Sequence, residues 1–322
     1  MAVSSLRTPA TLRRRGHRIP CMSEATAPER DRTIAARGAL GAGAAILYVF
    51  LWATAFVPSR VLARDAPPLW ILTIRFAIAG GILLALAAAM RLPIPRDLRT
   101  WIRLFALGLG ANALYLGLTY LALRHLSAGM GSIIASTNPL ILALLAPWLL
   151  REPLTARKLI GLLLGFAGVV LAMYARAGSQ TARLQDVLLA LAGVVAFVLS
   201  NILYKRMNER PHPLVLNGAQ LICAAIALLP AAVALEGAPH IVWTAQVSWS
   251  LAYLVVVLSV GASMLWFWIL QHGEASRVSA YFFVTPVFGL LLSAVLLGEQ
   301  LTGRDGVALV IIATGLWLVA RS

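Results

Sequence analysis

The chain has 322 residues, 60% of them apolar and only 12% charged, and its mean hydropathy is +0.85. A water-soluble domain sits nearer half apolar and a quarter charged, so the charged helix faces that a large soluble helical protein needs are missing. The net charge of +15 comes from 27 Lys/Arg against 12 Asp/Glu, and the way it is distributed argues against nucleic-acid binding.

Residues 1–37 form a basic stretch. Arg13-Arg14-Arg15 has the look of a targeting peptide, yet no apolar run follows before Glu24 and Asp31. The segment reads as a disordered cytoplasmic tail suited to anionic lipid, and Met22 is an alternative start. Ten apolar runs follow, at about 40–59, 69–90, 104–123, 128–150, 159–174, 186–204, 214–235, 249–270, 278–297 and 306–320. An α-helix needs about 20 such residues to cross the hydrocarbon of a bilayer. Lipid offers no partner to backbone polar groups, so the runs are predicted to be helices.

The second half repeats the first. Arg151-Glu152-Pro153-Leu154-Thr155-Ala156-Arg157 returns as Gly298-Glu299-Gln300-Leu301-Thr302-Gly303-Arg304, and Pro139 and Gly168 return as Pro286 and Gly315. Further upstream, Pro68 matches Pro213, Trp52 matches Phe197 and Arg60 matches Lys205. The domains predicted are the tail at 1–37, a first repeat at 38–174, an extracytoplasmic linker at 175–185 and a second repeat at 186–322.

With the N-terminus in the cytoplasm, twenty of the 27 Lys/Arg fall on the cytoplasmic side and six opposite, with Arg75 inside a helix. This positive-inside bias puts both termini in the cytoplasm. Five helices per repeat is an odd number, so the second copy enters the membrane from the other side. The fold expected is an all-α polytopic membrane protein, ten transmembrane helices in two inverted five-helix repeats. Inverted repeats are the recurring plan of secondary transporters, with the site near the midplane between them.

Trp52-x-x-x-Phe56-x-x-x-Arg60, Pro68, Arg75-Phe76, the Pro139-to-Glu152 stretch ending in Arg-Glu-Pro-Leu-Thr, Gly161 and Gly168, and the repeated Pro286, Glu299-Gln300-Leu301-Thr302 and Gly315 together resemble the EamA family of the drug/metabolite transporter superfamily, over residues 40–320. Ala53 stands where that family has a glycine after the tryptophan. The resemblance implies an inner-membrane carrier, often an exporter of amino acids or other small metabolites.

Polar side chains inside apolar helices mark the candidate pathway. Asn112, Tyr115 and Thr119 share a helical face, as do Ser132, Ser136 and Pro139, with Asn138 beside them. Asn201, Tyr204, Ser259, Ser263, Tyr281 and Thr285 lie on later helices, and Trp52, Phe56 and Trp266 offer walls or gates. Interhelical hydrogen bonds of about 0.5–1 kcal/mol each explain such residues equally well. Pro139 and Pro286 each remove a backbone donor and are candidate kinks. Arg75 either reaches the outer interface or meets an anionic group in the cavity; its repeat partner is the neutral Gln220. Gly161, Gly165 and Gly168 form a small-residue ridge fit for close helix contact or for a homodimer interface.

All twelve acids lie in the tail, in loops or at helix ends, which speaks against a mid-membrane carboxylate relay. Cys21 and Cys223 and five scattered histidines compose no metal or cofactor site. Gly129-Met130-Gly131-Ser132 has neither the lysine nor the preceding strand of a phosphate loop and reads as a tightly packed helix start. The partners expected are a small-molecule solute and the lipid bilayer. A channel is the nearer alternative to a carrier; a membrane-embedded enzyme or lipid-handling protein would need a catalytic set that does not occur at helical spacing.

Overall fold

The computed structural model describes residues 43–44, 46–149, 155–176, 183–207, 210–271, 285–298 and 300–320, and the described residues contain helices and no strand. In chain order these are α1 (Ile46–Asp65), α2 (Pro68–Ala89), α3 (Leu98–Leu123), α4 (Ala128–Ala135), α5 (Asn138–Leu149), α6 (Ala156–Arg176), α7 (Leu184–Lys205), α8 (Pro213–Glu236), α9 (Ala245–Tyr253, continuing through Leu254–Ala262 and Ser263–Gln271), α10 (Thr285–Leu297) and α11 (Gly303–Ala320). Six of them (α1, α2, α3, α7, α8 and Ala245–Leu265 of α9) are long and apolar enough to cross a membrane. Ala128–Leu142 and Val287–Leu297 are shorter apolar segments.

Local chemistry sets the boundaries. Pro68 and Pro213, repeat equivalents, both stand at a helix start, where the missing N–H costs nothing. Asp97, Ser127 and Thr244 cap α3, α4 and α9 by accepting from Thr100 N, Met130 N and Val247 N. Gly237 and Gly298, at φ +68° and +66°, end α8 and α10 with the positive φ that glycine adopts without strain.

The duplicated motif proves to be a helix start. Thr155 Oγ1 accepts from Lys158 N (3.2 Å) ahead of α6, and Thr302 Oγ1 accepts from Asp305 N (3.3 Å) ahead of α11. The second copy adds a capping box, because Asp305 Oδ2 accepts back from Thr302 N at 2.9 Å. Glu152 and Glu299 lie outside the described residues.

Two expectations are corrected. The first helix continues past residue 59 to Asp65, so Arg60 lies inside it. The run expected over 128–150 is two helices, because helical winding stops at Ser136–Thr137, just before Pro139. Pro139 has no N–H to return to Ala135 O, which interrupts the ladder, and a proline fits the first turn of a new helix.

Large apolar side chains point outward at helical spacing: Ile78, Ile82 and Leu86 on α2, and Ile226, Leu229 and Val233 on α8. Water would penalise these stripes, and hydrocarbon would not. Inside, the helix contacts survive exchange of one half for the other. The most extensive pairs, α2 with α8 and α6 with α11, each join a helix to its own repeat equivalent. The α3–α7 pair maps onto α9–α1, α3–α8 onto α9–α2, and α5–α7 onto α10–α1. Trp52 and Phe197, equivalents in sequence, meet with ring centroids 6.3 Å apart.

Glycines make the closest approaches. A Cβ on Gly315 would lie 2.5 Å from Gly161 O and 2.6 Å from Gly165 N, and one on Gly168 would meet Ala308 O at 3.0 Å. The ridge Gly161/Gly165/Gly168 is therefore used within the chain, against α11 and Leu140. Gly131 packs against Leu123 and Phe56, the close packing expected of the Gly-Met-Gly-Ser stretch.

Candidate functional site

Three helices lose regular winding, α1, α3 and α9. Pro58 has no N–H to offer Thr54 O, and the chain turns at Ala55, whose N–H reaches Trp52 O at 3.2 Å. Thr54 Oγ1 bonds Leu51 O and lies 2.6 Å from Tyr253 OH, which ties α1 to α9 beside the interruption. In α3, Leu109–Leu114 winds as a π-helix, and in α9 so does Leu254–Ala262. Their first residues are 145 apart, the repeat offset, so the widened segment is duplicated. Short π segments of this kind recur at functional sites.

Ala55, Leu258 and Ser259 of two of these segments, with Tyr115 and Leu116 just past the third, line a cavity of about 120 Å³. Its apolar walls include Trp52, Phe56, Leu116, Leu123, Leu221 and Leu258, and its polar lining includes Ser59, Arg75, Thr119, Tyr120, Asn217 and Ser259. Both halves of the chain contribute. An engineered apolar cavity of about 150 Å³ holds a benzene ring, so a space of this size suits a small metabolite or one end of it.

One hydrogen-bonded chain runs across the cavity. Tyr120 OH donates to Ser59 Oγ (2.9 Å), and Arg75 donates from Nη1 to Tyr120 OH (3.3 Å) and from Nε to Ser259 Oγ (3.2 Å). Beyond Ser259, Ser263 Oγ donates to Ser259 O (2.8 Å), Asn217 Nδ2 donates to Ser263 Oγ (2.7 Å), and Gln220 Nε2 donates to Asn217 Oδ1 (2.8 Å). The network joins α1, α2 and α3 to α8 and α9. Arg75 is 7% exposed, and its guanidinium carbon lies 5.8 Å from the Phe76 ring centroid. Arg75 lines the cavity and its described partners there are neutral hydroxyls.

An aromatic cluster adjoins the cavity on the side of the α1 N-terminus. Tyr48 and Trp52 are one turn apart with centroids at 6.3 Å, Trp52 leans on Phe197, and Tyr115 stacks on Phe197 at 4.7 Å.

Of the residues singled out in the sequence, Trp52, Phe56, Arg75, Tyr115, Thr119, Ser259 and Ser263 line the cavity together. Asn112 does not. The π segment that contains it has more residues per turn, which rotates Asn112 off the Tyr115–Thr119 face and leaves its buried Nδ2 without a hydrogen-bond partner. Ser136 is turned back to its own helix, donating to Ile133 O at 2.6 Å, and neither Asn138 nor Asn201 is part of the lining. Pro139 follows the break between α4 and α5, and Pro286 is the second residue of α10; the side chains of Pro139, Pro286 and Trp266, and all of Tyr281, lie outside the described residues.

Ser59, Tyr120 and Asn217 were missed. Ser59 follows a proline inside a helix, and Asn217-x-x-Gln220 is a polar pair in an otherwise apolar run, signals visible in the sequence. The acids also hold a finding. Asp186, at the start of α7, is 1% exposed, with Oδ1 3.2 Å from His125 Nδ1 and Oδ2 unpartnered. Among the described residues no group of three His, Cys, Asp or Glu is placed to hold a metal.

The chain is similar to known proteins over most of its length. It is 31% identical to the transporter YvbV of Bacillus subtilis (strain 168) over 84% of this chain and 88% of that one. It is 28% identical to a probable amino-acid metabolite efflux pump of Salmonella typhimurium (strain LT2) over 85% and 92%. A solved crystal structure, 20% identical, covers 87% of this chain and 94% of its own with a TM-score of 0.60, which supports the same fold. The model of the EamA-like transporter family matches twice, at residues 39–174 and 185–321, and the chain belongs to this family of membrane transporters.

Proposed function

We propose that the protein is a secondary transporter of the inner (plasma) membrane that exports small metabolites, amino acids or related amphipathic solutes, by alternating access. In this reading ten helices cross the bilayer as two inverted five-helix repeats with both termini in the cytoplasm, and the cavity lined by Trp52, Phe56, Arg75 and Tyr115 is the solute site.

One observation carries it: a largely apolar cavity crossed by a polar network lies between helices of both repeats, beside three helices whose winding is interrupted. In membranes, irregular backbone is tolerated where it lines a cavity, and broken helices build transporter sites. The exchange-invariant helix contacts and the paired π segments support two equivalent halves able to trade conformations. The positive-inside charge bias supports the orientation, and the efflux pump of Salmonella typhimurium supports both the direction and the amino-acid class.

The test is flux of labelled amino acids and related metabolites across liposomes that contain the purified protein. Saturable flux supports the reading. Flux that rises linearly with concentration, or none across a broad panel, overturns it.

A further inference from the structure

Resting on the transport reading, we propose that the solute carries a single carboxylate, which Arg75 binds as its counter-ion, and that this contact bridges the two repeats. Among the described residues Arg75 is the one charged residue in the cavity lining. Among the described residues no carboxylate pairs with it; the ion pairs present are Arg64–Asp65 and His125–Asp186. A guanidinium keeps its charge in proteins and presents five N–H donors in a rigid fork. Two of these reach Ser259 Oγ and Tyr120 OH, both neutral, at 3.2 and 3.3 Å. Three N–H groups remain for a ligand in the adjoining space.

A buried cation with neutral partners alone is costly, and an anion in the cavity relieves that cost. The planar fork matches the two oxygens of a carboxylate. Among the described residues one arginine with no second cation lines the cavity, which matches one negative charge and disfavours a doubly charged phosphate ester. The rest of the wall is apolar and aromatic, with Trp52, Phe56, Leu116 and Leu258 facing the same space, so the carboxylate belongs on an apolar body. Arg75 holds Tyr120 of the first repeat and Ser259 of the second. A carboxylate on the fork competes for those donors, so loading the site alters the link between the halves.

The experiment compares extracellular metabolites, by untargeted mass spectrometry, between cells that overproduce the full chain and cells that lack it. Parallel cells carry Arg75→Gln, Arg75→Lys or Tyr120→Phe, with the amount and thermal stability of each purified variant measured. We expect every metabolite that tracks the wild-type protein to carry one carboxylate on a largely apolar body. Folded Arg75→Gln is expected to lower its export at least tenfold, with Arg75→Lys intermediate. Export confined to amines, alcohols or phosphate esters overturns the proposal and leaves transport standing, as does wild-type export by folded Arg75→Gln. If Arg75→Gln does not fold, the chemistry of the wild-type exports still decides. If no metabolite tracks the protein, the transport reading fails and the proposal with it.

Discussion

Replacing Gly315 with alanine isolates the contact that joins the two halves at α6 and α11. The added Cβ would lie 2.5 Å from Gly161 O and 2.6 Å from Gly165 N, both backbone atoms that no rotamer change can move. Ordinary carbon contacts begin at 3.4 Å, so the helices must separate locally by roughly 0.9 Å. Overpacking of this kind costs about 1–3 kcal/mol, and a backbone clash belongs near the upper end. Gly81, inside α2, has nothing within 4 Å of its would-be Cβ. There alanine is neutral or stabilises by about 0.5–1 kcal/mol, because glycine loses more backbone entropy on folding. Thermal unfolding of the purified variants in one detergent reads the contrast. At roughly 2–4 °C per kcal/mol, Gly315→Ala should melt at least about 4 °C below Gly81→Ala. Gly168→Ala, the repeat equivalent, meets Ala308 O and Ile312 N at 3.0 Å and should fall between them. Combined with Gly315→Ala it should cost less than the sum, since one separation serves both. Equal melting of Gly315→Ala and Gly81→Ala would refute the close α6–α11 contact.

Other outcomes follow from single side chains. Thr302→Ala removes a capping box and Thr155→Ala a single exposed cap, so both should destabilise by about 0.5–2 kcal/mol in thermal unfolding, Thr302→Ala the more. Glu236 accepts from Leu69 N and Trp70 N, both at 3.0 Å, and so caps α2 from the end of α8. Glu236→Ala should cost about 1–2 kcal/mol by the same assay, with Glu236→Gln in between. Tyr120→Phe deletes the hydroxyl between Arg75 and Ser59, and leaving those groups short of a partner should destabilise by about 1–2 kcal/mol in thermal unfolding.

The parts of the fold that could be read in the sequence are those governed by local chemistry. Pro68 and Pro213 open helices, and Thr155 and Thr302 cap them, because each acts within one turn of itself. The lipid-facing stripes follow from hydropathy in the same way. The site was legible where one residue stood out against its run, as with Arg75 in α2 or Trp52 in α1. Asn112 failed because assigning its face assumed constant helical winding, and no residue pattern in Leu109–Leu114 announces the π segment. Ser59, Tyr120 and Asn217 become one network only when α1, α3 and α8 are packed around Arg75, and that packing is a tertiary fact. Asp186 shows the same limit: its place at a helix end was evident, and its burial against His125 was not.

Counterflow tests the central claim most directly. Liposomes containing the protein are loaded with the unlabelled metabolite whose export depends on it, then diluted into a trace of the labelled form. A carrier that alternates between two repeats exchanges one molecule for the other, so labelled solute should transiently accumulate above equilibrium, and uptake should run faster than into empty liposomes. Labelled solute that only equilibrates, at a rate indifferent to the internal load, would contradict alternating access and favour an open pore.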